Sequence, residues 1–112
     1  MKVPVRALRL SIFLRDDDIW HHKPVYAEIV HRAHKAGLAG ATVIRGVEGY
    51  GHAAKIHTTH MFGSGVPVLI VIADAEQRIR DFLPQLDELG VSGLCVLDEV
   101  EAVVYRKAVR SR

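Results

Sequence analysis

Arg45-Gly46-Val47-Glu48-Gly49-Tyr50-Gly51 places a cation and an aromatic ring in a glycine-rich stretch. Glycines let the backbone approach a ligand closely and turn its amides toward an anion. Arg45 can pair with a phosphate or carboxylate through two parallel hydrogen bonds, and Tyr50 can stack on a planar ring. The chemistry is recognition of a small anionic ligand or nucleotide, with Arg45, Gly46, Glu48, Gly49, Tyr50, Gly51 and the downstream His57 as candidates. A structural reading stands beside it, in which the glycines shape a bulged hairpin and Arg45 pairs with Glu48. No Gly-Lys-Ser/Thr follows, so the run is not a nucleoside-triphosphate P-loop. Nor does it open a helix as a dinucleotide fingerprint would.

Seven histidines are many for this length. His52, His57 and His60 lie downstream of the glycines, and the spacing of His57 and His60 suits a metal on helical backbone. Imidazole is a common ligand for zinc, copper and nickel. No cysteine is near, however, and no carboxylate lies between Lys55 and Gly65. A complete site would need a partner subunit or another segment, so no metal site is assigned. His31 and His34 follow Glu28 at helical spacing and read as a solvated polar face. His21-His22 read as loop residues.

A catalytic pairing is harder to find. Ser64 sits in Gly63-Ser64-Gly65, which is not the nucleophile elbow Gly-x-Ser-x-Gly. Asp16-Asp17-Asp18 reads as a charged turn. Asp98 alternates away from Glu99 and Glu101 along a strand pattern, and none has an evident catalytic partner. Binding rather than catalysis is expected, and no cofactor is identified.

The elements that position these residues follow from periodicity. Across 6–14, Leu8, Leu10, Ile12 and Leu14 share one face and Ala7, Arg9, Ser11 and Phe13 the other, which is a strand. Pro24 suits the first turn of a helix. Val25, Ile29, Val30, Ala33 and Ala36 recur at helical spacing, and Gly37 is a stop, so a helix is expected at about 24–36. The β-branched run 41–45 is a second strand. The segment 46–65 has no clean period; loops this long are commonly functional, and part of it can prolong its flanking strands as a hairpin. Residues 66–73 form an apolar run expected to be buried on both faces. Asp74 with Gln77 forms a capping box for a second helix, with Ile79, Phe82, Leu83, Leu86 and Leu89 as its stripe and a kink or break at Pro84. Residues 94–106 make the last strand.

The order β-α-β-β-α-β is the split ferredoxin-like pattern. An α+β sandwich is expected, with a four-stranded antiparallel sheet carrying two helices on one face, in a single domain over 1–112. Two helices leave the second face open, although Ala7, Phe13 and the third strand present apolar groups there. Self-association is the simplest way to cover it.

A chain of 112 residues buries one core, not two, and 49% apolar with 25% charged residues is a globular balance. Fifteen basic against 13 acidic residues give a net charge of +2, too little to argue for nucleic acid. The basic tail at 106–112 reads as a solvated end. The lone Cys95 fits a reducing compartment and reads as a small core residue. No apolar run resembles a signal peptide or a membrane span, and a cytoplasmic location is expected.

The run 36–51, together with His57-Thr58 and Val66-Pro67-Val68, resembles the signature of an uncharacterised bacterial domain family within the PII-like superfamily. The resemblance covers nearly the whole chain. It implies a homotrimer of ferredoxin-like subunits with ligand clefts between neighbours. It also implies that 46–65 corresponds to the mobile loop through which PII signalling proteins contact partners. Classical PII proteins bind adenine nucleotides and dock on channels and enzymes. Members of the family are often encoded beside small fluoride-exporting channels, so a membrane channel or transporter is an implied partner. The structurally similar CutA group implies an alternative, metal tolerance through the loop histidines.

Overall fold

The computed structural model describes residues 2–50, 57–58 and 65–105. In chain order the elements are β1 (Lys2–Arg15), β2 (Ile19–Trp20), β3 (Lys23–Pro24), α1 (Val25–Lys35), β4 (Thr42–Arg45), β5 (Glu48–Gly49), β6 (His57–Thr58), β7 (Pro67–Asp74), α2 (Glu76–Glu88) and β8 (Leu94–Tyr105). Four strands build the main sheet in the order β4-β7-β1-β8, every neighbour antiparallel. The fold is the expected α+β, ferredoxin-like βαββαβ sandwich.

The period of two in β1 decides what is buried. Leu8, Leu10, Ile12 and Leu14 join Val68, Ile70 and Ile72 of β7 in one core. Val25, Ile29 and Ala33 of α1 and Ile79, Phe82 and Leu86 of α2 close that core from above. The short β2–β3 ribbon turns at His21 and His22, both with positive φ, 49° and 67°. That left-handed pair is the geometry of a two-residue hairpin turn, usually built from asparagine and glycine. Gly37 and Gly90 take positive φ just past the two helices.

Several expectations need correction. Pro24 lies one residue outside α1, as its N-cap. Asp74 does not cap α2: it is the last residue of β7, the N-cap is Ala75, and no side chain caps that helix. The Asp74 carboxylate instead accepts from Ala39 N at 2.9 Å and Ala75 N at 2.6 Å and pairs with Arg78. Arg78 in turn donates to the Gly37 carbonyl beyond α1. The α2 helix runs unbroken through Pro84. Pro84 is exposed, so the carbonyl that loses its partner there can turn to water. The third strand is buried on one face; Leu69, Val71 and Ala73 on the other are only half-buried. Cys95 is exposed, not a core residue, because β8 lies at the sheet edge. Partial burial, with the charge of Asp87, still pushes its thiol above the ordinary value.

Candidate anion site at the root of the 46–65 segment

Arg45 is the last residue of β4, and Gly65 and Val66 immediately precede β7. β4 and β7 are paired, with Arg45 opposite Val68, so the segment between them leaves and re-enters the sheet at one place. Asp16 meets it there. Its Oδ2 accepts from Arg45 Nη1 at 2.5 Å, and its Oδ1 accepts from Gly65 N at 3.1 Å and Val66 N at 3.0 Å. Gly65 has a φ of 84°, a conformation that favours glycine. Its N–H and the next thereby converge on one oxygen. Two main-chain bonds complete the clasp: Asp16 N to the Val66 carbonyl at 2.9 Å, and Gly46 N to the Pro67 carbonyl at 2.8 Å.

The carboxylate is almost sealed, with its side chain 2% exposed, whereas the Arg45 side chain is 37% exposed. Burial alone would raise the Asp16 carboxyl. The Arg45 hydrogen bond, the Gly65 N–H, the Arg45 charge and the Val66 N–H outweigh burial and hold it below the ordinary carboxylate value. The Asp16 hydrogen bond chiefly raises Arg45, with a smaller contribution from Tyr26 of α1. The pair is thus ionised at neutral pH, with one partner facing solvent.

The sequence candidates fall out unevenly around this clasp. Arg45 pairs with Asp16, not with Glu48. Glu48 and Gly49 form β5, opposite Thr58 and His57 of β6, in a two-stranded ribbon separate from the main sheet. Gly46 and Gly49 both lie on the Pro67 ring: a Cβ would stand 3.0 Å from its Cγ at Gly46 and 3.3 Å at Gly49. Close packing on Pro67 therefore accounts for both glycines, and the Gly46 N–H is already committed to Pro67. Tyr50 is exposed. Gly51, His52 and His60 lie outside the described residues, as do Ser64 and the tail at 106–112.

Asp16 is the residue that sequence reasoning passed over. Its neighbours do form the turn expected of Asp16-Asp17-Asp18: Asp18 Oδ2 accepts from Arg15 N at 3.1 Å, and Asp17 pairs with Arg15 at 3.0 Å. Asp16 points the other way, into the protein. Nothing local to the three aspartates distinguishes it; its position immediately after the buried Leu14 face of β1 is the one available signal.

Two other surfaces carry polar groups. Between the helices, Arg32 is held by Glu28 at 3.1 Å, Gln85 at 2.9 Å and Glu88 at 3.2 Å, with its guanidinium 5.0 Å from the Trp20 ring centre. On the open face of the sheet, Arg9 and Asp98 pair at 2.7 Å beside Phe13, Val71 and Val96. Among the described residues, no three histidine, cysteine or acidic side chains are grouped to hold a metal ion. No described helix is long and apolar enough to cross a membrane.

The architecture is that of PII-like proteins. It superposes with a TM-score of 0.65, at 20% identity, on CPII, a nitrogen regulatory PII-like protein from Thiomonas intermedia K12 bound to ADP, AMP and bicarbonate; the match covers 89% of this chain and 91% of that one. The GlnK–ATP complex of B. subtilis matches with a TM-score of 0.56 at 14% identity, over 85% and 82% of the two chains. The fold is shared at low identity, whereas sequence shows a family. Residues 7–102 match the family described as "Uncharacterized ACR" (DUF190). A UPF0166 protein of Aquifex aeolicus is 36% identical over 101 residues, covering 88% of this chain and 95% of the relative. The chain belongs to this family.

Proposed function

We propose that this protein is a PII-like regulator, not a catalyst, that binds a small oxyanion or nucleotide at Arg45 and signals to a protein partner through the 46–65 segment. One observation carries the reading: a half-exposed guanidinium stands at the root of that segment, tied through Asp16 to the residues at its far end. A ligand that engages Arg45 therefore acts where the segment's ends are fixed. Its effect on the segment comes through different affinity for two arrangements of the root. The structural neighbours support the ligand class, since CPII was solved with ADP, AMP and bicarbonate and GlnK with ATP. The open apolar sheet face supports self-association, in the trimer that the family resemblance implies, with the ligand cleft between copies. A cytoplasmic protein of this kind would act on a membrane channel or transporter.

A thermal-shift panel of nucleotides, phosphate, pyrophosphate, bicarbonate and divalent metals, with light scattering for the mass, tests it. A ligand at 100 times its Kd adds about 2.7 kcal/mol of stability. Arg45→Ala is expected to weaken anion binding at least about tenfold and to leave the oligomer mass unchanged. Unchanged affinity would place the ligand elsewhere. A response confined to metals would move the function to the histidines.

A further inference from the structure

We infer that Asp16 is the resident occupant of the Arg45 anion site: an incoming oxyanion draws the guanidinium away from Asp16 and so loosens the hold of Asp16 on Gly65 and Val66. The inference rests on the anion-binding reading and adds to it the group that the ligand competes with.

The geometry makes the competition direct. Arg45 recognises a carboxylate or phosphate through its N–H groups, and Asp16 already supplies a carboxylate, at 2.5 Å from Nη1. The two partners differ in access. With 37% of its side chain exposed, Arg45 can be reached from solvent; at 2%, Asp16 cannot. An anion on Arg45 also brings a like charge close to the carboxylate, which weakens the existing pair. Once Arg45 turns to the ligand, Asp16 is left as a buried charge with two main-chain N–H partners and its guanidinium partner withdrawn, a costly state. Moving toward solvent relieves that cost and gives up the bonds from Gly65 and Val66. Occupancy at β4 is thereby read at the start of β7, across the root of the segment.

By linkage, whatever weakens the Asp16–Arg45 pair strengthens the ligand, and the reverse. A tethered carboxylate competes at high effective concentration. A singly charged oxyanion meets it at a disadvantage, so pyrophosphate is the probe. In Asp16→Asn the amide oxygen can still accept from Gly65 and Val66, but the negative charge that Asp16 sets against Arg45 is gone. This variant is expected to bind pyrophosphate at least about tenfold more tightly than the wild type by calorimetry. In the wild type, pyrophosphate is expected to speed hydrogen exchange at the Gly65 and Val66 amides, a readout that needs no variant to fold. Wild-type binding with equal or weaker binding by Asp16→Asn, or unchanged exchange at both amides, overturns the role of Asp16 and leaves the anion site standing. Binding by Asp16→Asn alone supports Asp16 as the occupant while removing the wild-type protein from the anion sensors. Binding by neither overturns both.

Discussion

The two faces of the sheet use the same strands and nearly the same residue types, and they have opposite fates. One cross-strand row, Val43–Ile70–Ile12–Cys95, points toward the helices; the next, Ile44–Leu69–Phe13–Leu94, points away. Ile70 and Ile12 are fully buried, whereas Ile44, Phe13 and Leu94 are 50%, 45% and 61% exposed. Each face also carries an ion pair. On the helix side, Asp16 is sealed and pairs with Arg45; on the open side, Arg9 and Asp98 remain in solvent. Apolar content alone therefore does not identify the core. Helix α1 and helix α2 choose one face, and the other keeps its apolar side chains exposed.

That contrast can be broken in graded steps. Ile70→Ala on the closed face is expected to cost about 3–4 kcal/mol, from lost burial and the cavity left behind; urea unfolding with an unchanged m-value would confirm it. Acid acts next, through the sealed pair. Because Asp16 is held below its ordinary value, its contribution is fully present above the unfolded carboxylate pKa, near 3.9, and is lost as pH falls through the lower folded value. The Asp16→Asn variant should show a shallower loss of stability than the wild type below about pH 4. Phe13→Asp on the open face should have the smallest effect on the isolated fold, within about 1 kcal/mol. It should nonetheless lower the mass seen by light scattering, because it places a charge in the surface proposed to meet other copies. A large loss of monomer stability together with an unchanged mass would reverse the assignment of the two faces.

Much of this contrast was legible in the residues themselves. The period of two in β1 and the helical spacing of Val25, Ile29 and Ala33 follow from elementary geometry, and they place the core on the correct side. The glycine run located the root of the 46–65 segment, although close packing on Pro67 explains Gly46 and Gly49 as well as any ligand would. The clasp was not legible. Asp16 meets its partners 29 and 49 residues away, and no local pattern encodes a contact at that range. Asp74 misled for a related reason: an aspartate ahead of a helix resembles a cap, but here the β7 ladder keeps it in the strand, opposite Leu8. Cys95 misled because an apolar run in the sequence does not tell how far the helices extend over an edge strand.

The pairing of β1 with β8 has a consequence for how the chain comes into being. β1 lies inside the sheet, yet one of its two neighbours is β8, the last of the described strands to be made. Even the nearest rung of that ladder, Phe13 with Leu94, joins residues far apart in the sequence. During synthesis β1 therefore emerges early and waits with one edge unpaired until β8 has left the ribosome. A nascent chain halted before β8 would present that edge, flanked by Leu8, Leu10 and Ile12, to chaperones or to other nascent chains. The β1–β8 ladder, the third of the sheet, therefore forms in full only once the chain has been extended from Leu94 through Tyr105.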